Sequence, residues 1–248
     1  MKIFAALRKG ENHPIFCEDF LVHSPLGQSF YVAAVMDGCS SGKDSHFAAT
    51  LLGKLLLKIG RTMNPAPKES AQSVSKQILH SLFELLRQSA EWLQLQEEEM
   101  LATLLLLVYH TGHQEACIHV VGDGYVNIDD AWQAFEQNNQ PDYLAYHLGK
   151  NFEQWYASQK QIIVCQNPTS LAIASDGIGT FKTLQTELPE GFDPKLYLMQ
   201  DKQMVQNPQM LKRKLVILEK TYGFTPFDDV SLVRIDFDPV PDALPKPE

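Results

Sequence analysis

The stretch FYVAAVMDG at residues 30–38 decides the fold. Its apolar run is typical of a strand buried on both faces, and the run ends at an acidic residue, Asp37. A shorter strand-like run, FLVH at residues 20–23, precedes it across the turn-forming residues SPLG at 24–27. The two runs therefore predict a β-hairpin whose second strand ends at Asp37.

Two helices are predicted after this hairpin. The small-residue loop GCSSGKDS at 38–45 leads into a helical pattern that stops near Gly60, carried by Phe47, Leu51, Leu55 and Ile59. Beyond a proline-bearing stretch, a second pattern runs to about Leu95, carried by Val74, Ile78, Leu82, Leu85 and Leu86. Two long helices in succession are expected to pack antiparallel.

The remaining strands are predicted from apolar runs in the second half of the chain. These runs are LATLLLLVYH (101–110), ACIHVVGDGYVNID (116–129), QIIVC (161–165), SLAIAS (170–175) and VSLVRIDF (230–237). Many aromatic residues lie between Asp130 and Gln159. They indicate either a flap over a functional site or the packing of an inserted helix and loop, and we favour packing.

Composition limits the class of protein. The chain has 248 residues, 44% of them apolar and 21% charged, which fits one globular domain, predicted over residues 1–238. The proline-rich residues 239–248 are expected to form a flexible tail. A net charge of −9 argues against nucleic acid or an anionic membrane as the main partner.

The cysteines and the apolar segments bear on location. The four cysteines include no C-x-x-C pair, which argues against a zinc knuckle or a disulfide framework. Free thiols suit a reducing compartment, and no segment reaches the roughly 18 apolar residues of a membrane span. We therefore expect a cytoplasmic protein.

Acidic residues recur where apolar strands begin or end. They are Glu18, Asp19, Asp37, Asp123, Asp176, Asp228 and Asp229. Three of them precede glycine. Asp-Gly is also the favoured dipeptide of hairpin turns, so each of these three alone is equally explained as a turn residue. However, Asp37-Gly38 leads into a loop and a helix, and Asp176-Gly177 leads into an irregular stretch, so these two aspartates are predicted to be site residues.

A cation is expected where such carboxylates converge. Carboxylates gathered at one end of a sheet repel one another, and a cation relieves that repulsion. Ligands that are all oxygen favour Mg²⁺ or Mn²⁺ over zinc or copper. A zinc site built from His110, His113 and His119 is a weaker alternative, because the first two also fit a hairpin connection.

Six short motifs occur in a characteristic order. They are CED (17–19), VMDG (35–38), LAT (101–103), VGDG (121–124), ASDG (174–177) and FDDVS (227–231). In this order the sequence resembles the metal-dependent Ser/Thr protein phosphatases of type 2C. The resemblance implies an α+β fold, a sandwich of two antiparallel β-sheets flanked on each side by antiparallel helices, with the metals in a cleft at one end.

The resemblance also implies a set of metal-binding residues. Asp37 would bridge two Mg²⁺ or Mn²⁺ ions, Glu18 and the carbonyl of Gly38 would bind one ion, and Asp176 and Asp228 the other. Asp19 would hold metal-bound water, and Asp123 would bind a third, weaker ion. Asp37 and Asp176 are the expected catalytic residues. The implied reaction is hydrolysis of phosphoserine or phosphothreonine in a protein substrate by metal-activated water.

The sequence departs from the family pattern at two positions. Members usually carry an arginine four residues before the motif glutamate, where it grips the substrate phosphate, but this chain has Pro14. His13, Arg8 or Lys9 is available to substitute. Many members also have a histidine after the Asp-Gly pair where this chain has Cys39, which leaves His13 and His46 as conceivable general acids.

One rival interpretation comes from a different functional class. The chain could be a phosphatase-like regulatory or binding module with little or no turnover. The missing arginine favours this rival, and the complete set of acidic positions opposes it. Catalysis is the favoured interpretation.

Overall fold

The computed structural model describes residues 1–137, 141–184, 188 and 191–237. Within these residues two five-stranded antiparallel β-sheets form a sandwich with helices on both outer faces, which confirms the predicted α+β fold. The strands are β1 (Lys2–Arg8), β2 (Asp19–Leu26), β3 (Phe30–Asp37), β4 (Leu104–His110), β5 (Glu115–Val121), β6 (Gly124–Ile128), β7 (Ala131–Phe135), β8 (Ile162–Gln166), β9 (Ser170–Ala174), β10 (Phe181–Lys182), β11 (Thr225–Pro226) and β12 (Val230–Asp236). The helices are α1 (Ser45–Thr62), α2 (Ala71–Leu93), α3 (Phe152–Ser158), α4 (Pro194–Met199) and α5 (Met210–Lys220).

The two sheets have different strand orders. The first sheet runs β1-β12-β9-β6-β7 and the second runs β2-β3-β4-β5-β8, while β10 and β11 form a separate two-stranded ribbon. The predicted hairpin of β2 and β3 is confirmed, with Asp19 paired opposite Asp37. The C-terminal tail predicted at residues 239–248 lies outside the described residues.

The sequence VGDG at 121–124 carries the chain from one sheet to the other. β5 ends at Val121 in the second sheet, and β6 begins at Gly124 in the first. Gly122 and Gly124 both have positive φ angles, +90° and +149°, which other residues rarely adopt. Asp123 therefore lies at a crossover between the sheets and not in a hairpin turn.

Alternation along the strands explains the continuous apolar runs. In β3, Ala33 and Val35 point into the core between the sheets, while Ala34 and Met36 point toward the helices. β4 alternates in the same way, with Leu105 facing the opposite sheet. Because both faces of these strands are buried, the sequence loses the alternation of polar and apolar residues that a half-exposed strand shows.

Helices α1 and α2 cover the second sheet, as the sequence predicted. Their apolar faces share one buried cluster with β3 and β4. Helix α1 continues to Thr62, two residues past Gly60. Helix α2 begins at Ala71, and the side chain of the preceding N-cap residue, Ser70, accepts a hydrogen bond from the Ser73 amide. None of the helices in the described ranges is both long enough and apolar enough to cross a membrane.

Two buried cations hold α4 and α5 on the first sheet. Arg234 of β12 is fully buried and donates to the Asp236 carboxylate at 2.9 Å and to the carbonyl of Asp201 at 2.8 Å. Lys214 of α5 is also fully buried and donates to the Asp201 carboxylate at 2.7 Å and to the carbonyl of Tyr197 at 2.8 Å. The last carbonyls of α4 thus find partners in the protein interior.

We expect Arg234→Met to destabilise the protein by about 3–5 kcal/mol, because it leaves Asp236 and the α4 carbonyls buried without a donor. Urea denaturation measures the change. The exposed Arg213 on α5 provides the control, and Arg213→Met should stay within about 0.5 kcal/mol of the parent. Equal effects of the two substitutions would contradict the role given to Arg234.

Candidate functional site

The carboxylates predicted to form the site come from the ends of both sheets. Asp19 and Asp37 face each other where β2 begins and β3 ends. Asp176 follows β9 and Asp228 precedes β12, and these two strands are antiparallel neighbours in the first sheet. Each sheet thus contributes a pair of aspartates.

The two pairs meet at one end of the sandwich, because the Ser175 hydroxyl beside Asp176 donates to Asp19 and the Asp229 carboxylate beside Asp228 accepts from the Glu18 amide. The pKa of Asp37 is raised well above its usual value by burial and then by the negative charges of Asp19, Asp176 and Asp228. Burial and the charge of Asp176 raise the pKa of Asp123 to about 6. The structure therefore brings these five predicted aspartates into one electrostatic cluster.

Glu18 joins this cluster through the loop that follows β3. Its carbonyl accepts a hydrogen bond from the Gly38 amide at 3.1 Å, and its carboxylate accepts one from the Ser40 hydroxyl at 2.9 Å. A Cβ atom added at Gly38 would lie 2.1 Å from the carbonyl oxygen of Ser45, the first residue of α1. Glycine is thus required at this position for the loop to pass close to α1.

Asp19 is the most buried of the predicted site residues, with 3% of its surface exposed. One of its oxygens, Oδ2, accepts a hydrogen bond from the Ser175 hydroxyl at 2.6 Å, whereas Oδ1 has no partner. Burial raises the pKa of Asp19 to about 7 even though hydrogen bonds to its carboxylate lower it. A buried oxygen without a donor is suited to accept a metal ion or water.

Asp229 is a structural residue of the site that the sequence prediction left without a role. Its carboxylate is 1% exposed and accepts the Gly10 amide at 2.6 Å and the Glu18 amide at 2.5 Å. It therefore fixes the backbone of Glu18 to the start of β12. The sequence signal for this role was the second aspartate of the FDDVS motif. Its carboxylate has two oxygens, and each accepts one of the two buried amides.

Thr103 of the LAT motif was also left without a role in the prediction. The Asp37 amide donates to the Thr103 hydroxyl at 3.2 Å, and the Thr103 amide donates to the Asp37 carbonyl at 2.8 Å. These two hydrogen bonds fix the backbone of Asp37 at the end of β3.

His13 lies among the acidic residues and is not free to meet a substrate. It is 6% exposed, with Nε2 at 3.1 Å from Asp228 Oδ1 and Nδ1 at 3.0 Å from Asp229 Oδ2. Its Nδ1 also lies 3.7 Å from Glu18 Oε1. A histidine in this position offsets part of the negative charge whenever it is protonated.

The other candidates for phosphate binding differ in availability. Arg8 pairs with Glu219 at 2.8 Å. His46, which was predicted only as a conceivable general acid, stacks on Phe16 with ring centres 4.2 Å apart. Lys9 is exposed, and its ammonium group donates to the carbonyl of Pro14 at 3.0 Å. Lys9 therefore reaches the position where the sequence has proline.

The histidines of the alternative zinc site do not form a ligand set. His110 and His113 stack at the β4–β5 turn with ring centres 3.8 Å apart, and the backbone amides of residues 112 and 113 donate to His110 Nδ1. His119 is buried and forms a hydrogen bond with the hydroxyl of Ser75 in α2 at 2.8 Å.

The acidic cluster fits a divalent cation by its donor chemistry. Its side-chain donors are carboxylate oxygens, and Asp19 Oδ1 and Asp123 Oδ1 are buried without a hydrogen-bond partner. Within the described ranges, no three His, Cys, Asp or Glu side chains are drawn together tightly enough to form a finished metal site. The individual ligand assignments therefore stay predictions.

A family model described as Protein phosphatase 2C matches residues 9–216, which is most of the chain. The chain belongs to the protein phosphatase 2C family. This match confirms the family suggested by the six motifs. A search of curated proteins found no match to this chain.

Solved structures of phosphatases share the fold. The PP2C phosphatase domain of SpoIIE from Bacillus subtilis has 18% sequence identity and a TM-score of 0.59, over 96% of this chain and 63% of that one. The chain thus spans less than two thirds of that protein fragment. The serine/threonine phosphatase Stp1 from Staphylococcus aureus has 11% identity and a TM-score of 0.61, over 95% and 94%. RsbX, solved in complex with magnesium, has 14% identity and a TM-score of 0.50, over 93% and 92%.

Without metal, the contribution of Asp19 to the free energy of unfolding is expected to fall as the pH rises. The folded-state pKa of Asp19 is raised from 3.8 to about 7, so the folded protein holds a proton that the unfolded chain has released. The stabilisation is complete below pH 3.8 and is lost as the pH rises through about 7. Urea unfolding in chelator should therefore show Asp19→Asn gaining stability relative to the parent between about pH 5 and pH 8.

The exposed Asp130 supplies the control. The free energy of unfolding of Asp130→Asn should differ from that of the parent by the same amount at every pH in this range. If the difference between Asp19→Asn and the parent is also constant, Asp19 does not retain its proton in the folded state.

Proposed function

We propose that this protein is an active, metal-dependent phosphatase that hydrolyses phosphoserine and phosphothreonine in protein substrates. The observation that carries the proposal is the convergence of Asp19, Asp37, Asp176 and Asp228 at one end of the sandwich. Burial first, and then the neighbouring charges, raise the pKa of Asp37 there. Membership of the protein phosphatase 2C family supports it. A set of mutually repelling carboxylates destabilises an unliganded protein, and a bound cation offsets that cost.

The proposed ligands follow the predicted assignments. Asp37, Glu18, the Gly38 carbonyl, Asp176 and Asp228 would hold two ions, and Asp123 would hold a third. When bound, two Mg²⁺ or Mn²⁺ ions supply Lewis-acid activation of water and neutralisation of the phosphoryl oxygens. Carboxylate oxygens suit both ions, and a nucleophilic side chain is not needed.

Other residues of the chain hold this set in place. Asp229 fixes the backbone of Glu18, and Thr103 fixes that of Asp37. The Ser175 hydroxyl holds Asp19 in one orientation, leaving its Oδ1 free to orient water. Preorganised ligands of this kind favour catalysis because few groups have to move during the reaction.

Two further predictions belong to this proposal. A single domain over residues 1–238 accommodates all the ligands, and the family match at 9–216 lies within it. The free thiols Cys17, Cys39, Cys117 and Cys165 support a cytoplasmic location.

The rival function, a binding module with little turnover, has one observation in its favour. His13 is directed into the acidic cluster and Arg8 is paired with Glu219, so neither is free to grip a substrate phosphate. Of the three residues predicted to replace the missing arginine, Lys9 is the one left to bind a substrate phosphate. Turnover therefore separates the two functions.

The decisive experiment follows hydrolysis of a phosphoserine peptide with and without Mn²⁺. We expect Mn²⁺-dependent turnover and a rise in Tm with metal, because the ion binds only the folded site. Asp37→Asn and Asp176→Asn should each lower kcat/KM by at least about a hundredfold while the far-ultraviolet circular dichroism is unchanged. Asp130→Asn, on the surface, is the matched control.

The possible results distinguish the two functions. Metal binding by calorimetry without turnover of any phosphoester would establish the binding module. Full activity in Asp37→Asn or Asp176→Asn would refute the ligand assignment. Tm values that do not change with metal would exclude the metal centre itself.

We further expect Lys9→Ala to raise KM for the phosphopeptide about threefold to tenfold with little change in kcat, since an exposed charge-assisted contact contributes to ground-state and transition-state binding alike. The neighbouring cation Arg8 is the control, because it is paired with Glu219. Arg8→Ala should leave KM within about twofold. If Lys9→Ala behaves like Arg8→Ala, Lys9 does not bind the phosphate.

A further inference from the structure

An exposed apolar run lies directly before the first acidic motif. Pro14, Ile15 and Phe16 are consecutive and exposed, with Ile15 74% and Phe16 55% open to solvent. Single exposed apolar residues are common on protein surfaces, whereas a run of them is typical of a binding surface. The run ends two residues before Glu18, one of the proposed metal ligands.

A second exposed apolar side chain lies directly before another acidic residue of the cluster. Phe227 precedes Asp228 and is 40% exposed. The Lys182 ammonium lies over the Phe227 ring, 3.7 Å from its centre, and the Phe227 amide donates to the Thr180 carbonyl at 3.2 Å. Both contacts come from residues 180–182, and they hold Phe227 in place beside Asp228.

The two apolar sites lie at the same end of the sandwich. The Asn12 amide donates to the Phe227 carbonyl at 2.9 Å, which fixes the segment before the apolar run against the segment before Asp228. The imidazole of His13 lies between the acids that follow the two sites, with Nδ1 3.7 Å from Glu18 Oε1 and Nε2 3.1 Å from Asp228 Oδ1. We give the name apolar rim to three residues: Ile15, Phe16 and Phe227.

Contacts within the protein also hold the first part of the rim in place. The Lys9 ammonium donates to the Pro14 carbonyl at 3.0 Å. Phe16 stacks on His46 with ring centres 4.2 Å apart, and His46 belongs to the first turn of α1, which Gly38 approaches closely. A surface that is already ordered loses less conformational entropy when a ligand binds.

Charge does not decide what the rim binds. Apart from His13, which faces the acids, the charged side chains of residues 9–17 and of β10 and β11 are Lys9, Glu11 and Lys182. Lys9 donates to a carbonyl, Lys182 lies over the Phe227 ring, and Glu11 is exposed. Two bases and one acid leave no strong excess of either sign, so the rim is suited to apolar side chains.

The position of the rim decides its occupant. Consecutive Cα atoms are about 3.8 Å apart, so a residue three positions from Glu18 or Asp228 lies within about 11 Å of it. All three rim residues meet this condition. An extended peptide advances about 3.3 Å per residue, so the residues flanking a phosphoserine in the acidic cluster come within reach of the rim.

We propose that the apolar rim binds the residues next to the phosphorylated serine of a substrate protein and selects apolar side chains there. The exposed apolar surface supplies the complementarity, and the direct connection of the rim to Glu18 and Asp228 supplies the occupant. Aromatic side chains such as those of Phe16 and Phe227 are enriched in protein interfaces. This inference rests on the proposed phosphatase function, and it adds the class of sequence that the enzyme prefers.

The test uses two phosphoserine peptides of equal length and charge, one with leucine on both sides of the phosphoserine and one with serine at those positions. We expect the parent to have a KM about tenfold lower for the leucine peptide, because covering a leucine side chain with apolar surface is worth about a factor of ten. The double variant Ile15→Ser, Phe16→Ser should reduce this preference to about twofold, and Phe227→Ser should reduce it to about fivefold.

Val216→Ser is the matched control, since Val216 is an apolar side chain on α5 that is 55% exposed and lies outside the rim, and this variant should keep the tenfold preference. Because a loss of folded protein affects both peptides equally, the ratio of the two KM values stays informative if a variant is less stable. A parent without any preference, or a double variant that retains it fully, would overturn the inference.

Sedimentation of the parent and the double variant addresses a second occupant. A monomeric parent agrees with the inference, whereas a dimer that depends on Ile15 and Phe16 would make the rim a self-association surface and overturn it.

Fluorescence anisotropy of the same peptides in unphosphorylated, labelled form separates this inference from the proposed function if neither phosphopeptide is hydrolysed. Tighter binding of the leucine peptide that is lost in the double variant would then support the rim, although the phosphatase function had failed. Equal binding of the two peptides would overturn the rim. Hydrolysis of both phosphopeptides with equal KM values would support the phosphatase and overturn the rim.

Discussion

Repulsion between neighbouring carboxylates is the constraint on which the rest of this structure depends. Two unit charges about 4 Å apart repel by about 4 kcal/mol at the effective dielectric constant typical of protein sites. Burial raises the pKa of Asp37 most, and the negative charges of Asp19, Asp176 and Asp228 raise it further. The scaffold must hold these groups together against this force. It does so with hydrogen bonds at strand ends, such as those from the Asp37 amide to the Thr103 hydroxyl and from the Glu18 amide to the Asp229 carboxylate.

The sequence predicted the parts of the fold whose signals are local. The run at 30–38, the turn before it and the two helices after it were correctly placed because apolar periodicity and turn residues act over a few positions. β1, α4 and α5 were not predicted. Strand β1 has only a short apolar stretch, and α5 carries Lys214 on its buried face, where the helical pattern requires an apolar residue. Only the tertiary contact with Asp201 explains that lysine.

The same division applies to the site. The acidic motifs located the candidate carboxylates because acidic residues at strand ends are visible in a sequence. The role of Asp229 was not visible, since its partners Gly10 and Glu18 are far from it in the chain. The sequence also left three substitutes for the missing arginine, and the structure separates them by burial and pairing: His13 faces the acids, Arg8 binds Glu219, and Lys9 lies at Pro14.

The position of β12 bears on the order in which the protein can assemble. β12, the last strand in the described residues, lies between β1, the first strand, and β9. During synthesis on the ribosome, the first sheet therefore cannot close until residue 236 has emerged, although most of the second sheet and its two helices are complete long before. Asp228 and Asp229 arrive with this last strand. Asp19 and Asp37 already face each other across the β2–β3 hairpin, and Asp228 and Asp229 join them only at the final step of folding. The nascent chain is thus spared the repulsion of the complete acidic set until its last strand is in place.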